Sequence, residues 1–161
     1  MSKTERAVLF ANGEAQNRVA LALQGDDFLV AVDGGLHHLQ DLGLNPQLLI
    51  GDMDSLSAQE VEACQQAGVE ILRYPPAKNK TDLELALDKV LQRGYRNILI
   101  AFALGGRLDQ TLANLALLSR PDLNDYAVRI DDGLTEVTLL RHTITLACQP
   151  GDTVSLQIGR A

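Results

Sequence analysis

Cysteine is scarce in this sequence, and its scarcity excludes two classes of small protein. The chain of 161 residues has two cysteines, Cys64 and Cys148, far apart and outside any metal-ligand spacing. A disulfide framework needs more cysteines, and a zinc site needs Cys or His residues at short, regular spacing. We therefore expect neither type of domain, and we expect both cysteines to be small buried residues.

Long apolar runs are missing as well. No stretch approaches the roughly 20 uncharged apolar residues of a membrane span. The N-terminal segment MSKTERAVLF also lacks the pattern of a signal peptide. These absences predict a soluble, cytoplasmic protein that has no membrane partner.

Basic residues are outnumbered, with 14 Lys and Arg against 21 Asp and Glu and a net charge of -7. A phosphate backbone is attracted mainly by Lys and Arg, so no nucleic-acid partner is expected. An anion would need a local site or a bound metal ion.

Short apolar segments alternate with segments of helical period over the first two thirds of the chain. This order is typical of a parallel sheet with crossover helices, and the apolar segments lack strict alternation, as doubly buried strands should. We predict an α/β fold, a mostly parallel Rossmann-like sheet with helices on both faces. The predicted strands begin at Ala7, Phe28, Leu48, Glu70, Asn97 and Tyr126.

Two helices are predicted with defined N-termini. Ser57 and Glu60 have the spacing of a capping box, and so do Thr81 and Glu84. Three further helices are predicted, one in RLDQTLANLALLSRP and two weaker ones within Glu14–Leu23 and Gly35–Leu42. The first of these carries one apolar stripe of Leu108, Leu112, Leu115 and Leu118.

The pattern changes near Gly133. TEVTLL, TITLA and TVSLQI are short and β-rich with no helix between them, which predicts an antiparallel β appendage. We therefore divide the chain into residues 1–132, an α/β domain, and residues 133–161, part of a second domain. The last strand-like run lies a few residues from the terminus, so we expect a fragment or a shortened relative.

Polar clusters follow four of the predicted strands. In an open parallel sheet, ligands bind beyond the carboxyl ends of the strands. Four clusters at one edge therefore predict a binding site more strongly than any one of them. They are Asp33-Gly34-Gly35, Asp52-Met53-Asp54-Ser55, Lys78-Asn79-Lys80-Thr81-Asp82 and Gly105-Gly106-Arg107-Leu108-Asp109-Gln110.

The aspartates of these clusters have two interpretations. Asp52 and Asp54 are ordinary turn residues, and Asp82 follows the helix cap Thr81, where a carboxylate complements the helix dipole. However, Ser57 already caps the next helix, and neighbouring carboxylates repel unless a cation bridges them. Asp52, Asp54 and Asp82 are thus candidate ligands of Mg²⁺, which carboxylates and substrate phosphates bind together.

The basic and glycine residues have two interpretations as well. Lys78 and Lys80 are either solvated surface charges or groups that neutralise phosphate, and Arg107 forms either a surface salt bridge or a phosphate contact. Gly105 and Gly106 precede a helix N-terminus, a reasonable phosphate cradle. Neither G-x-G-x-x-G nor G-x-x-x-x-G-K-[ST] occurs, which disfavours nicotinamide enzymes and ordinary P-loop NTPases.

No histidine has the surroundings of a catalytic or metal-binding group. His37, His38 and His142 lack a Cys or second His at ligand spacing, so we expect them to be structural or solvent-facing. Ser55 has no identifiable base partner.

Three stretches resemble the catalytic domain of the thiamine pyrophosphokinase (thiamine diphosphokinase) family. They are VDGGLHHLQDLGLNPQLLIGDMDSL, KNKTDLELAL and GGRLDQTLANLALL, and the resemblance runs in order over roughly residues 7–131. It implies that residues 1–132 form an ATP-binding α/β catalytic domain and that residues 133–161 are the start of a β-sandwich domain that binds thiamine and dimerises, usually in a homodimer. It also implies transfer of the diphosphoryl group of ATP to the hydroxyl of thiamine, with Mg²⁺, giving thiamine diphosphate and AMP.

The resemblance also implies roles for individual residues. It makes Asp52, Asp54 and Asp82 metal and phosphate carboxylates, and either Asp109 or Asp33 the acceptor of the hydroxyl proton. Around phosphates and the reacting hydroxyl it places Asp33, Gly34, Gly35, Lys78, Thr81, Gly106, Arg107 and Gln110.

The sequence departs from the family pattern at three points. Asn79 replaces an aspartate in the lysine motif K-D-x-T-D, Gln110 replaces the histidine common in G-G-R-x-D-H, and the β domain is short. A diphosphokinase that acts on another alcohol and a non-catalytic nucleotide- or thiamine-binding protein are the alternative hypotheses.

Overall fold

A seven-stranded sheet forms the centre of the molecule. The computed structural model describes residues 3–77 and 79–158, with side chains from Arg6 onward. The strands lie in the order β4-β3-β2-β1-β5-β6-β7, all parallel except β7, which is antiparallel to β6. They are β1 Lys3–Phe10, β2 Phe28–Val32, β3 Leu48–Gly51, β4 Glu70–Arg73, β5 Tyr95–Ala101, β6 Ala127–Asp131 and β7 Glu136–Thr138.

Both faces of the central strands are buried, as predicted from their continuous apolar runs. In β1, Ala7 and Leu9 face one core cluster, and Val8 and Phe10 face the other. The first cluster includes side chains of α3 and α4, and the second includes side chains of α1 and α2. The predicted α/β class, with a parallel sheet and helices on both faces, is therefore confirmed.

Four α-helices cover the sheet. They are α1 Leu36–Asp41, α2 Ala58–Gln66, α3 Asp82–Gln92 and α4 Leu108–Leu117. Both predicted capping boxes are present: the side chain of Ser57 accepts from the Glu60 amide, and Thr81 accepts from the Glu84 amide. None of the helices in residues 3–77 and 79–158 is long and apolar enough to cross a membrane.

Three predicted elements, one helix and two strands, are wrong. Within Glu14–Leu23 the structure has only a 3₁₀ turn, Arg18–Ala20, and residues 139–158, which include TITLA and TVSLQI, contain no described strand. Alternating apolar residues favour a strand only where a neighbouring strand supplies hydrogen bonds. No described strand pairs with this segment, and the side chains of Ile144, Leu156 and Ile158 remain exposed.

The segment after Gly133 differs from expectation in two further ways. Its first strand, β7, extends the main sheet by pairing with β6. Cys64 is buried as expected, but Cys148 is exposed, since it lies in the segment without described strands.

The connection from β1 to β2 contains no α-helix, and a buried ion pair fixes its end. Arg6 donates through Nε and Nη2 to the carboxylate of Asp27 at 2.8 and 2.6 Å, and Nη2 also donates to the Ala22 carbonyl at 2.7 Å. The exposed fractions of the two charged side chains are 3% and 0%. The pair lies at the amino end of β2, away from the edge where the polar clusters meet.

Candidate active site

A cavity of about 680 Å³ opens at the carboxyl edge of the sheet. The segments after β1, β2, β3, β4 and β5 contribute to its walls, so all four predicted clusters meet there with a fifth segment. The lining residues used below are Asn12, Gly13, Glu14, Asp33, Asp52, Asp54, Lys80, Thr81, Asp82, Gly105, Gly106, Arg107, Gln110 and Asn114. A smaller cavity of about 250 Å³ beside residues 138–144 contains none of the predicted site residues.

Three carboxylates converge in the larger cavity. Among the described residues, Asp33, Asp52 and Asp82 each place one oxygen within 4.8 Å of the other two. Asp33 is buried, and its Oδ1 has no hydrogen-bond partner in the described part of the chain. Two members of this acidic triad were predicted as metal ligands, and the third, Asp33, was predicted only as a phosphate or proton contact.

Local backbone geometry brings the triad together. Asp33 follows β2 with φ at 47°, a left-handed conformation that aspartate tolerates better than most residues. Gly51 ends β3 with φ at 148°, and a Cβ there would lie 3.0 Å from the Asp33 Cβ and 3.3 Å from the Asp82 Cγ. Gly51 therefore provides the space in which the two carboxylates approach each other. This role of Gly51 was not predicted, although Gly51 directly precedes Asp52.

Replacing Gly51 with alanine is expected to force the triad apart. The added methyl group would meet Asp33 and Asp82, and alanine would also be strained at this φ. We expect divalent-cation binding at least about tenfold weaker and an unfolding free energy about 1–3 kcal/mol lower. Calorimetric titration with Mg²⁺ and thermal unfolding measure the two effects.

Gly68→Ala is the matched control for this substitution. Gly68 also has a positive φ, 77°, but a Cβ there meets nothing within 4 Å. It should show the backbone strain without the loss of cation binding. Equal cation affinity in the Gly51 and Gly68 variants would contradict the spacing role of Gly51.

Asp54 lies beside the triad rather than within it. Between the two aspartates, Met53 has φ at 67° and buries its side chain in the core. This side chain anchors the turn to the core. Asp52 Oδ1 accepts from the Asp54 amide at 3.1 Å. The hydrogen bond from Ser55 lowers the pKa of Asp54, but repulsion from Asp52 and Asp33 outweighs it, so this pKa lies above its ordinary value. The negative field of the triad thus reaches Asp54.

The two lysines of the fourth segment differ in what the structure shows. Lys78 lies outside the described residues. Lys80 lines the cavity, and its Nζ forms a 2.5 Å salt bridge with Asp88 in α3. Thr81 lines the cavity as well while capping α3. Lys80 is therefore close to the site but is held by a carboxylate in this conformation.

The segment before α4 places Arg107 at the cavity wall. Arg107 donates through Nε and Nη2 to Asp109 at 3.1 and 2.5 Å, and both side chains are exposed. The hydrogen bond from Arg107 lowers the pKa of Asp109, which makes this carboxylate a weaker proton acceptor. Gly106 and Gln110 line the cavity, whereas Asp109 lies outside its lining.

Gly34 and Gly35 help to position Asp33 by packing against the end of β1 and the residues after it. A Cβ on Gly35 would lie 1.8 Å from the Phe10 carbonyl oxygen, and one on Gly34 would lie 2.5 Å from Asn12 Nδ2. The two glycines therefore allow the turn that carries Asp33 to pack directly against the end of β1. They are not among the cavity-lining residues.

The segment that follows β1 contributes to the site and was not predicted from the sequence. Asn12, Gly13 and Glu14 line the cavity, and Asn114 of α4 lines it while donating to the Ala103 carbonyl at 2.8 Å. The pair Asn12-Gly13 directly after an apolar strand was the available signal.

Comparison with known proteins identifies the family. A model described as the thiamin pyrophosphokinase catalytic domain matches residues 19–145, about four fifths of the chain. The chain belongs to the thiamin pyrophosphokinase family. The match includes Asp33, Asp52 and Asp82, and it begins after the segment that follows β1.

Individual members of the thiamin pyrophosphokinase family are similar in sequence and fold. The thiamine pyrophosphokinase of Bacillus subtilis (strain 168) is 35% identical over 103 residues, which are 64% of this chain and 48% of the relative. A solved thiamin pyrophosphokinase family protein from Enterococcus faecalis is 31% identical with a TM-score of 0.65, covering 82% of this chain and 62% of that one. The solved Bacillus subtilis enzyme is 28% identical with a TM-score of 0.66, covering 79% and 60%. This chain thus spans less than two thirds of the length of each.

Proposed function

We propose that this protein transfers the diphosphoryl group of ATP to the hydroxyl of thiamine, giving thiamine diphosphate and AMP. The observation that carries the proposal is the acidic triad of Asp33, Asp52 and Asp82 at the ligand-binding edge of a sheet in this family. The chain spans less than two thirds of the length of these relatives. Its activity and substrates are therefore part of this proposal.

The triad fits Mg²⁺, which the resemblance implies. Carboxylate oxygens suit this hard cation, the Oδ1 of Asp33 is buried without a hydrogen-bond partner among the described residues, and Gly51 keeps the space between the carboxylates clear. Asp33, Asp52 and Asp82 are the residues that would hold the ion. Bound there, Mg²⁺ would neutralise phosphate oxygens and orient the triphosphate for attack by an alcohol.

The remaining cavity residues would bind and orient the triphosphate. Gly106 lines the cavity just before α4, whose N-terminus carries the positive end of the helix dipole and favours a bound phosphate. Arg107 would exchange its partner Asp109 for a phosphate, and Lys80 would do the same with Asp88, since both cations line the cavity. We assign Asp54 to the outer part of the metal site.

The chain leaves two candidates for the acceptor of the hydroxyl proton, Asp33 and Asp109. While Arg107 is bound to Asp109, it depresses the pKa of that carboxyl group, which disfavours proton acceptance. Release of Arg107 to a phosphate would remove the largest cause of this lowered pKa. Proton transfer to Asp109 would then follow nucleotide binding.

The proposal extends to assembly, domains and location. We assign residues 133–161 to the start of a thiamine-binding domain and expect a homodimer where that domain is complete, because the apolar side chains of Leu139, Leu156 and Ile158 are exposed. A cytoplasmic location is consistent with two free thiols, Cys64 and Cys148.

The decisive experiment incubates the intact gene product with ATP, Mg²⁺ and thiamine and separates the products by chromatography. Thiamine diphosphate and AMP in equal amounts are expected. AMP release that requires a different alcohol would instead identify a diphosphokinase for that substrate. Nucleotide or thiamine binding without turnover, unchanged in Asp52→Asn, would identify a non-catalytic binding protein.

A further inference from the structure

His38 lies buried beneath the segment that follows β1. Its Nε2 lies 2.9 Å from the Gly13 carbonyl oxygen, and its Nδ1 lies 3.2 Å from Arg18 Nε. Its ring packs on Phe102, with centroids 4.6 Å apart and planes inclined at 51°. One side chain of α1 thus contacts the β1–β2 connection twice and the end of β5 once.

The partners of His38 define its protonation. The Nε–H of an arginine can only donate, so Nδ1 of His38 accepts, and Nε2 carries the proton that is donated to Gly13. This arrangement requires the neutral ring. Burial lowers the pKa of His38 below its ordinary value, and the nearby charge of Arg18 acts in the same direction.

The segment held by His38 is a wall of the cavity. Asn12, Gly13 and Glu14, here called the β1 wall segment, all line it. The Gly13 amide donates to the Phe102 carbonyl at 2.8 Å, and the Glu14 amide donates to the Leu104 carbonyl at 2.9 Å. The β1 wall segment is therefore bonded to the end of β5 on one side and to His38 on the other.

Gly13 has little freedom to move toward β5. A Cβ at this position would lie 2.4 Å from the Phe102 carbonyl oxygen, so the backbones of Gly13 and Phe102 are already in close contact. His38 opposes this contact from α1 and contacts the same Phe102 through its ring. Loss of the His38 hydrogen bond would release one side of the β1 wall segment, which carries none of the triad carboxylates.

We propose that His38 is a positioning residue that fixes the β1 wall segment and thereby shapes the cavity. The inference rests on the proposed ATP-dependent function and adds a residue that itself lies outside the cavity lining. Protonation at Nδ1 would break the bond from Arg18 and place two cations together. The charged and titratable groups around the ring are Arg18, Asp41 and His37, and only Asp41 would favour the protonated form.

The first test is independent of nucleotide. Nitrogen-15 NMR of the histidine rings should show His38 neutral at pH 7 with the proton on Nε2, titrating below the ordinary value of about 6.5. In His38→Phe, which keeps a ring on Phe102 but removes both hydrogen bonds, the Gly13 and Glu14 amides should exchange about tenfold faster. The control His37→Gln alters an exposed histidine paired with Glu60 and should leave both amides unchanged.

The second test measures the dissociation constant for MgATP. His38→Phe should raise it about 3- to 10-fold. Binding by the unaltered protein should weaken further than that of the variant as pH falls below about 6.5. Unchanged amide exchange with an unchanged dissociation constant, or identical pH profiles, would overturn the proposal. A protein that binds no MgATP at all would overturn the proposed function, while the NMR test would still decide the contact.

Arg18→Gln provides a second variant if His38→Phe does not fold. Arg18 is part-exposed and forms a 3.1 Å salt bridge with Asp41, so its replacement is tolerable for the core. The change removes the cation beside Nδ1, so the pKa of His38 should rise. The fraction of neutral rings with the proton on Nδ1 should also increase. A ring whose titration and tautomer do not change would show that Arg18 does not set its state.

Discussion

Asp33→Asn should abolish most of the activity and yet make the protein more resistant to heat when Mg²⁺ is absent. Asparagine keeps the side-chain shape and tolerates the left-handed backbone at this position. It removes one of three crowded negative charges, and its amide can donate to the neighbouring carboxylates. We expect kcat/KM to fall about 100-fold or more. Without the cation, the unfolding free energy should rise by about 1 kcal/mol, which is about 2–4 °C in Tm for a chain of this size.

The cation should reverse this difference in stability. Mg²⁺ should raise the Tm of the unaltered protein and leave that of Asp33→Asn nearly unchanged, because ligand binding stabilises only the state that binds. Asp125→Asn, an exposed aspartate away from the cavity, removes the same charge and should respond like the unaltered protein. Equal stabilisation of Asp33→Asn by Mg²⁺ would show that the triad does not hold the ion.

Asp27→Ala should cause a large loss of stability. The substitution removes the two hydrogen bonds that Arg6 donates to Asp27 and leaves the buried guanidinium with the Ala22 carbonyl as its remaining acceptor among the described residues. It also removes the acceptor for the Gln24 amide, which lies 2.7 Å from Asp27 Oδ2. An uncompensated buried charge costs about 3–5 kcal/mol, so Tm should fall by roughly 6–20 °C. Urea unfolding followed by circular dichroism measures the free energy directly.

A surface pair in the same chain provides the matched control. Arg93 Nη2 contacts both carboxylate oxygens of Glu70 at 2.7 and 2.8 Å, a similarly close pair whose side chains are part-exposed. Glu70→Ala should therefore cost only about 0.2–1 kcal/mol. The double variant Arg6→Met with Asp27→Leu should recover much of the loss, because it removes both buried charges. Similar losses in Asp27→Ala and Glu70→Ala would show that burial does not determine the cost.

Sequence signals predicted the architecture well where an element depends only on residues close together in the chain. The capping boxes at Ser57 and Thr81 marked the starts of α2 and α3, because a cap needs only residues three positions apart. The prediction failed where an element depends on a partner elsewhere. The stripe on α4 predicted an amphipathic helix correctly, but the exposed fractions of Leu108 and Leu112 are 71% and 57%, since no described element covers that end.

The sequence was enough to predict which edge of the sheet carries the site, but not which side chains contact one another there. Polar residues at strand ends identify the edge of a parallel sheet on which they lie, and this placed Asp52 and Asp82 together. The position of Asp33 depends on how far its turn packs against β1, which the Gly34 and Gly35 contacts determine. No spacing in the sequence encodes such a contact, so Asp33 was given a different role. The same reason explains why Gly51 was missed.

Three non-glycine residues in the described part of the chain have positive φ, and all three follow strands at the edge that holds the cavity: Asp33, Met53 and Phe102. Each such conformation costs of order 1–3 kcal/mol. Glycine at any of them would relax the backbone, but it would remove a triad carboxylate at 33, the buried anchor of a turn at 53, or the ring beneath His38 at 102. The edge that would carry out the chemistry is therefore also the part of the sheet whose backbone cannot be relaxed without loss of a side chain that shapes the site.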